Sequence, residues 1–339
     1  MALMRRLLPL LALTAAAAAA EWSQLPPLPD PEGFAGAFAG TSGGVLMVAG
    51  GTNFPDKMPW EGGAKVWYDT VHVLRSPEAA WEKAGRLPKA NGYGVSLSTP
   101  EGLLIIGGGN TTEHFRDVLK LTWRDGKILS DALPPLPRPL AFMAGTLAGN
   151  ILYLAGGISK PDDTAAQNVF WSFDLHQPQR GWQSLPPCPG PARILASMAT
   201  FEGSVYLFSG AALQAGADGK ATRDWLRDAW RFLPDKGWQQ LRDLPHVAVA
   251  APSPLPLREG KLFLIGGDDG SLANFEPKSR HPGFPRRLMS YDPAQDRWKE
   301  AGSLPFSLVT TPAVEWRGRI VIPGGEARPG KRSPEVWWR

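Results

Sequence analysis

The sequence predicts an all-β protein, a six-bladed β-propeller whose last blade is closed by a strand from the N-terminus. Two repeated markers support this prediction: an apolar run that ends in two small residues, and a tryptophan that precedes Leu-Pro. The third observation is the composition, because 38 glycines, 34 prolines and 14 tryptophans suit short strands and tight turns better than helices.

The first marker recurs six times, and its first glycines lie 49 to 58 residues apart. The six copies are VLMVAGG (45–51), LLIIGGG (103–109), ILYLAGG (151–157), VYLFSGA (205–211), LFLIGG (262–267) and IVIPGG (320–325). A period of about fifty residues is that of kelch-type repeats. Because four-stranded units that repeat radially form a propeller, six copies predict six blades.

The second marker keeps the same period and completes each unit. Its copies with tryptophan are WEKAGRLP (81–88), WQSLPP (182–187), WQQLRDLP (238–245) and WKEAGSLP (298–305). We expect each of these tryptophans on the outermost strand of a blade, packed between neighbouring sheets. The innermost strand of the next blade then follows each Leu-Pro.

The sixth unit stops after its third strand, since EVWWR (335–339) ends the chain. EWSQLPPLP (21–29) carries the tryptophan and Leu-Pro of an outermost strand, and we expect it to pair with 336–338. This pairing would leave no free sheet edge and would tie both chain ends into one blade. We therefore predict one propeller domain over residues 21–339.

Residues 1–20 have the three-part layout of a secretory signal peptide. MALMRR supplies positive charge, a leucine- and alanine-rich run follows, and small residues precede Glu21. The apolar run is short for a membrane span, and no second stretch of the sequence is apolar enough to be one. We expect cleavage of this leader and a periplasmic or secreted protein with no membrane attachment.

Charge and cysteine content argue against several classes of protein. The net charge of +4 is small and the basic residues are scattered, which does not favour a nucleic-acid partner. Cys188 is the only cysteine, so an intramolecular disulfide and a thiolate zinc site are excluded. A copper radical oxidase would need paired histidine ligands, and the five histidines show no such spacing. The sequence leaves both a monomer and a homodimer open.

The blade layout predicts a polar pocket at one end of the ring. The loops after the Gly-Gly strands and before the innermost strands open at that end, and they suit a small polyhydroxylated or anionic ligand. The candidate ligand-binding residues are Asn53, Tyr93, Asn110, Arg138, Arg193 and Asp268. Arg138 and Arg193 are equally suited to bracing neighbouring blades, and asparagine after glycine is a common turn residue. We expect the long loops 52–69, 212–227 and 268–286 to wall the pocket.

The stretch IPGGEARPGKR (322–332) follows the sixth Gly-Gly pair and places Glu326 and Arg332 on one short loop, 326–334. Glu326 has two interpretations here. It is either a carboxylate that transfers protons in the pocket, or a solvated turn residue paired with Arg328 or Arg332.

Several stretches resemble the bacterial N-acetylneuraminate epimerases, the sialic acid mutarotases. They are LPPLPDPEGFAGAFAGTSGGVLMVAGGTNFPD (25–56), YGVSLSTPEGLLIIGGG (93–109) and IPGGEARPGKR (322–332). GGTNFPDKMPWEGGAKVWYD (50–69) is similar to the branch called cyclically permuted mutarotases. The resemblance covers essentially the whole mature chain in rotated order, which a closed ring tolerates because only the closing point moves. The chain departs from the family pattern at three places. Gly324 stands where the family often has asparagine, and Arg328 stands where the family has lysine. Near residue 91 the chain lacks an arginine of the family.

The resemblance implies an isomerase that interconverts the α and β anomers of N-acetylneuraminate and needs no metal or redox cofactor. The glutamate of the family's Gly-Glu-Ala motif, its proposed proton acceptor, matches Glu326, and an arginine six residues later matches Arg332. We expect Glu326 to be the general base and Arg332 or Arg193 to grip the substrate carboxylate with two hydrogen bonds. The alternative is a non-catalytic propeller that binds a glycan or a protein, because this fold hosts many functions.

Overall fold

The computed structural model describes residues 21–339, which form six four-stranded antiparallel sheets. The leader predicted at residues 1–20 lies outside the described residues. Residues 21–339 contain strands and three short 3-10 turns but no α-helix, and no helix among them is long and apolar enough to cross a membrane. The prediction of an all-β, six-bladed propeller is confirmed.

Each blade places its strands in chain order from the axis outward. The first blade comprises Phe38–Ser42, Val45–Ala49, Thr70–Leu74 and Glu82–Arg86, and the second comprises Val95–Thr99, Gly102–Ile106, Val118–Arg124 and Lys127–Ala132. The third blade comprises Ala144–Ala148, Ile151–Ala155, Phe170–Asp174 and Gln183–Ser184, and the fourth comprises Ser197–Phe201, Ser204–Phe208, Ala229–Leu233 and Gly237–Gln240. The fifth blade comprises Leu257–Arg258, Lys261–Ile265, Arg287–Asp292 and Arg297–Ser303. The sixth blade comprises Val314–Trp316, Arg319–Arg328, Lys331–Trp338 and Ser23–Leu25. Two small hairpins, Thr52–Asn53 with Val66–Trp67 and Ala211–Ala215 with Ala221–Trp225, stand in the long loops of the first and fourth blades, and the 3-10 turns are Pro59–Glu61, Pro178–Arg180 and Lys278–Arg280.

The N-terminal strand closes the sixth blade by pairing with residues 336–338, as predicted. Ser23 lies opposite Trp338, and Leu25 lies opposite Val336. Leu25 and Val336 are both buried in the core between the sixth and first blades. Closure therefore rests on apolar packing as well as on strand hydrogen bonds.

A closed ring of six backbone hydrogen bonds, each 2.7–2.8 Å long, joins the blades around the axis. Each N–H in turn donates to the carbonyl of the next residue in the order Gly36, Thr310, Ala250, Leu195, Phe142, Tyr93 and back to Gly36. All six residues have φ between 53° and 64°, a left-handed conformation that is costly for the five that are not glycine. Each ring residue makes one hydrogen bond to each of its two neighbours in the ring, and these bonds offset this cost.

The residue after each Gly-Gly pair forms a bridge to the segment that leads into the innermost strand of its own blade. These bridges are Ala35–Thr52, Gly92–Gly109, Ala141–Ile158, Ile194–Ala211, Val249–Asp268 and Val309–Glu326. In the fourth blade the pair of residues with positive φ is Ser209 and Gly210, one position earlier than the sequence marker indicates. Glu326 and Asp268 therefore occupy equivalent positions in neighbouring blades.

The repeated tryptophans connect adjacent blades, as predicted. The indole N–H groups of Trp81, Trp182 and Trp238 donate to the carbonyls of Pro26, Pro134 and Pro186 at 2.8, 3.0 and 2.8 Å. Each acceptor lies in the proline segment that leaves the preceding blade. The tryptophan and the Leu-Pro of the second marker thus recur together because the tryptophan of one blade is hydrogen-bonded to the Leu-Pro segment of the preceding blade.

Candidate active site

A cavity of about 350 Å³ lies at the end of the axis where the loops after the Gly-Gly pairs open. Its charged and phenolic lining side chains are Lys65, Tyr93, Arg223, Asp268, Glu326 and Arg332. The hydrogen-bonded ring forms the floor of this cavity. Every ring residue except Gly36 lines it. The long loops wall the cavity as predicted, through Lys65, Arg223 and Phe284.

Glu326 and Arg332 lie on a β-hairpin and not on the irregular loop that we expected. The two long strands of the sixth blade continue past the Gly-Gly pair, so Glu326 and Arg332 become directly opposed cross-strand partners. The backbone of Gly325 has φ of 123°, and a Cβ there would lie 2.7 Å from the carbonyl oxygen of Val309. Glycine is required at that position because the Glu326 strand passes so close to its neighbour.

One carboxylate oxygen of Glu326 is held by the protein and the other is available. Oε1 accepts the backbone N–H of Gly330 at 2.7 Å and pairs with Arg332 Nη1 at 3.1 Å. Within residues 21–339 no donor is hydrogen-bonded to Oε2. The side chain is 18% exposed and lines the cavity, so Oε2 can receive a proton from a bound ligand.

Arg332 is buried beneath Glu326, with a side chain only 3% exposed. Besides the ion pair, its Nη2 donates to the Tyr93 hydroxyl at 3.3 Å and its Nε to the Thr52 carbonyl at 3.4 Å. The guanidinium also sits 4.8 Å from the ring centroid of Phe54, within the range of a cation–π contact. All three nitrogens have protein partners. These contacts let Arg332 orient Glu326, and the expectation that it binds a substrate carboxylate stays a prediction, because Arg332 also lines the cavity.

Two other cations of the cavity have no carboxylate partner among the described residues. Lys65 Nζ lies 5.4 Å from the ring of Tyr93 and 5.7 Å from that of Trp67. Arg223 reaches the cavity from the Ala211–Ala215/Ala221–Trp225 hairpin. Lys65 and Arg223 have no counterparts in the other blades, so the repeated pattern does not place either residue at the cavity.

Asp268 is the second carboxyl group of the cavity. Its Oδ1 accepts the backbone N–H of Gly270 at 2.9 Å. Burial raises the pKa of this carboxyl, and it outweighs the opposing effects of that hydrogen bond, of Arg223 and of His281. The structure thus brings together four of the predicted site residues: Tyr93, Asp268, Glu326 and Arg332.

The two predicted asparagines lie outside the cavity, which corrects their assignment to sugar binding. Asn53 is fully buried, and its amide donates to Asp30 and to the Gly33 carbonyl while it accepts from the Tyr68 hydroxyl. Asn110 accepts hydrogen bonds from the backbone of the turn that follows it. Both side chains are used by the fold.

The two predicted arginines are also placed elsewhere. Arg193 is 2% exposed and makes two hydrogen bonds, of 2.7 and 2.6 Å, to the Asp228 carboxylate. Its Nη1 also donates to the Ser209 carbonyl and its Nε to the Pro191 carbonyl, and the residue does not line the cavity. Arg138 is exposed and bonds to Gln167. The contacts of Arg193 with Ser209 and Asp228 lie within the fourth blade, so its side chain braces its own blade and does not join neighbouring blades, the alternative that the sequence left open.

The ring and its pocket define a six-bladed β-propeller with a carboxylate–guanidinium site at one end of the axis. The sequence model of the N-acetylneuraminate epimerase family matches residues 10–130. A Brucella suis protein named N-acetylneuraminate epimerase is 40% identical over 253 residues, which cover 65% of this chain and 62% of that protein. A protein of the same name from Haemophilus influenzae strain PittEE is 25% identical over 228 residues, which cover 60% of this chain and 58% of that protein.

A solved structure described as "Structure of YjhT" superposes with a TM-score of 0.67 and covers 93% of this chain and 96% of that one. At 16% identity this match supports the fold alone. The sequence matches confirm the predicted resemblance to the N-acetylneuraminate epimerases, whose name is that of an isomerase. The matched part spans about three fifths of the length of these curated relatives.

Proposed function

We propose that this protein accelerates the interconversion of the α and β anomers of a sugar acid, N-acetylneuraminate first. The observation that carries the proposal is the free Oε2 atom of Glu326, a residue that lines a cavity of about 350 Å³ while Arg332 and Gly330 hold its other oxygen. A volume of that size is within the ~300–1,000 Å³ range of small-ligand pockets. The names of the related proteins support the same choice of substrate.

Mutarotation opens a cyclic hemiketal and closes it on the other face of the carbonyl. The anomeric hydroxyl must lose a proton, and the ring oxygen must gain one. In this proposal Glu326 Oε2 takes the proton of the anomeric hydroxyl and returns it on closure. Its fixed Oε1 keeps the base in position throughout, which limits the cost of reorganisation.

The substrate carboxylate needs a cation that the protein does not already use. Lys65 and Arg223 meet this requirement, since both line the cavity and neither has an acidic partner among the residues described. A carboxylate ligand would therefore sit toward the 52–69 loop and the Arg223 hairpin, with its anomeric carbon toward Glu326. A neutral aldose lacks this anchor and should be a poor substrate.

The test is an NMR panel of freshly dissolved sugars scored for the rate of anomer equilibration with and without the protein. We expect acceleration for N-acetylneuraminate and little or none for glucose. Isothermal titration with N-acetylneuraminate runs in parallel. Binding without a change in the equilibration rate would replace this proposal with the non-catalytic glycan-binding alternative.

We also propose that the protein acts in the periplasm or outside the cell. The layout of residues 1–20 supports this location. Fractionation of bacteria expressing the full chain, with mass spectrometry of the mature N-terminus, tests it. Recovery of the uncut chain in the cytoplasm would contradict it.

A further inference from the structure

Asp268 and Glu326 are two carboxyl groups held at equivalent places one blade apart. Asp268 exchanges backbone hydrogen bonds of 2.8 and 2.9 Å with Val249, and Glu326 exchanges bonds of 2.9 and 3.0 Å with Val309. The adjoining ring residues, Ala250 and Thr310, are hydrogen-bonded to each other at 2.8 Å. Both carboxyl groups line the same cavity from rigid backbone.

The two carboxyl groups have opposite surroundings. Glu326 faces a buried guanidinium, which compensates its negative charge. Asp268 has no salt bridge among residues 21–339 and receives only the Gly270 N–H, on Oδ1. The charged groups around it are Arg223 on the fourth-blade hairpin, Asp269 beside it, and His281 at the end of the 3-10 turn. Of these, Asp269 is itself occupied by Arg287 at 3.1 Å.

We propose that Asp268 is the general acid that works with Glu326, so that the site is a two-carboxyl mutarotase. In ring opening, Glu326 Oε2 removes the proton of the anomeric hydroxyl. The carbon–oxygen bond of the ring breaks with its electron pair on the ring oxygen, which takes the proton of Asp268. Closure reverses both transfers, with Asp268 as base and Glu326 as acid, and leaves each group as it began.

The environment of Asp268 favours this role. Two carboxyl groups whose surroundings differ can serve as acid and base in one reaction. Burial raises the pKa of Asp268 above the ordinary value for aspartate, which keeps more of it protonated at a given pH. This proposal rests on the proposed mutarotation, since it names the proton donor of that reaction.

The decisive variant is Asp268→Asn, with Asp243→Asn as the matched control. The asparagine oxygen can still accept the Gly270 N–H, so the turn should be retained. We expect kcat of Asp268→Asn to fall about 10²-fold or more with little change in KM, since general acid catalysis is worth ~10²–10⁴-fold. Asp243→Asn should retain the wild-type rate, because Asp243 is exposed and does not line the cavity.

The pH profile separates an acid from a structural residue. In the wild-type protein the rate should fall as pH rises through the raised pKa of Asp268, and this alkaline limb should be absent in Asp268→Asn. Asp268→Glu, which keeps a carboxylic acid, should recover part of the rate and the limb. Should Asp268→Asn fail to fold, the wild-type profile decides, and a profile without an alkaline limb overturns the proposal.

A second readout is the pH dependence of the free energy of unfolding. Because the folded-state pKa of Asp268 is raised, its contribution to stability is largest below the ordinary aspartate pKa and is lost as pH rises through the raised value. The stability of the wild-type protein relative to Asp268→Asn should therefore decline over that window.

These experiments separate a failure of the proposed role of Asp268 from a failure of the proposed mutarotation. A wild-type protein that accelerates no anomer equilibration overturns both. An active wild-type protein with an equally active, folded Asp268→Asn variant overturns the role of Asp268 alone and leaves the proposed mutarotation standing.

Discussion

Glu326 and Arg332 are directly opposed in the hairpin of the sixth blade, with Oε1 and Nη1 3.1 Å apart. The pair is asymmetric, because the arginine is buried and the glutamate opens onto the cavity. Arg332 thus works as a fixed counter-charge under a carboxylate whose second oxygen is free. Geometry of this kind suits a base that must return to the same position after each proton transfer.

Glu326→Gln should abolish most of the catalysis while preserving the fold. The amide oxygen can still accept from Gly330 and Arg332, but the side chain can no longer take a proton. We expect the NMR rate of anomer equilibration to fall by about 10²–10⁴-fold. A circular dichroism melt should stay close to that of the wild-type protein, and a folded variant with full activity would refute the assignment.

Arg332→Met should lower both stability and rate. The variant leaves Glu326 without its counter-charge and removes hydrogen bonds to Tyr93 and Thr52, so we expect a loss of about 3 kcal/mol in the free energy of unfolding. Displacement of Glu326 should cost about 10²-fold in rate. Arg138→Met is the control for urea unfolding, and its exposed side chain should change stability by no more than about 0.5 kcal/mol. Equal stability of the two variants would contradict the buried-pair interpretation.

Much of the fold and part of the site follow from the sequence because some backbone positions demand particular residues. A pair of residues with positive φ recurs near the axis in every blade, as Gly-Gly in five blades and as Ser209-Gly210 in the fourth, and it places Glu326 and Asp268. Lys65 and Arg223 reach the cavity from long loops that have no counterpart in other blades. Their positions depend on how those loops fold over the ring, which no repeated pattern encodes.

Arg193 and Arg332 show a second limit on what the sequence predicts about the site. Arg193 and Arg332 are both buried near residues of the Gly-Gly turns, and either could have faced a ligand. Arg193 is paired with Asp228, 35 positions away in the chain, whereas Arg332 is paired with Glu326 across a hairpin beside the cavity. The second partnership is local and visible in the sequence. The first depends on tertiary structure.

Because the N-terminal strand closes the ring, we expect replacement of Leu25 to destabilise the fold strongly. This residue is 5% exposed and packs in the core with Val336 and Val314. Leu25→Ala should lower the free energy of unfolding by about 2–5 kcal/mol, because it removes buried apolar surface and leaves a cavity. Gln24→Ala, on the same strand but exposed, should cost no more than about 0.5 kcal/mol. Similar urea midpoints for the two variants would show that the N-terminal strand contributes little to closure.

The Arg193–Asp228 pair should matter for stability and not for substrate. Asp228→Ala leaves a guanidinium that is 2% exposed without its counter-ion, so we expect a loss of about 3–5 kcal/mol in urea unfolding. Adding Arg193→Met should recover part of that loss, because the double variant no longer buries an uncompensated charge. At a temperature where each protein is folded, KM for the sugar should match that of the wild-type protein in both variants. A large rise in KM in the folded double variant would instead return Arg193 to the substrate site, since its bracing role gives no reason for the pocket to lose affinity.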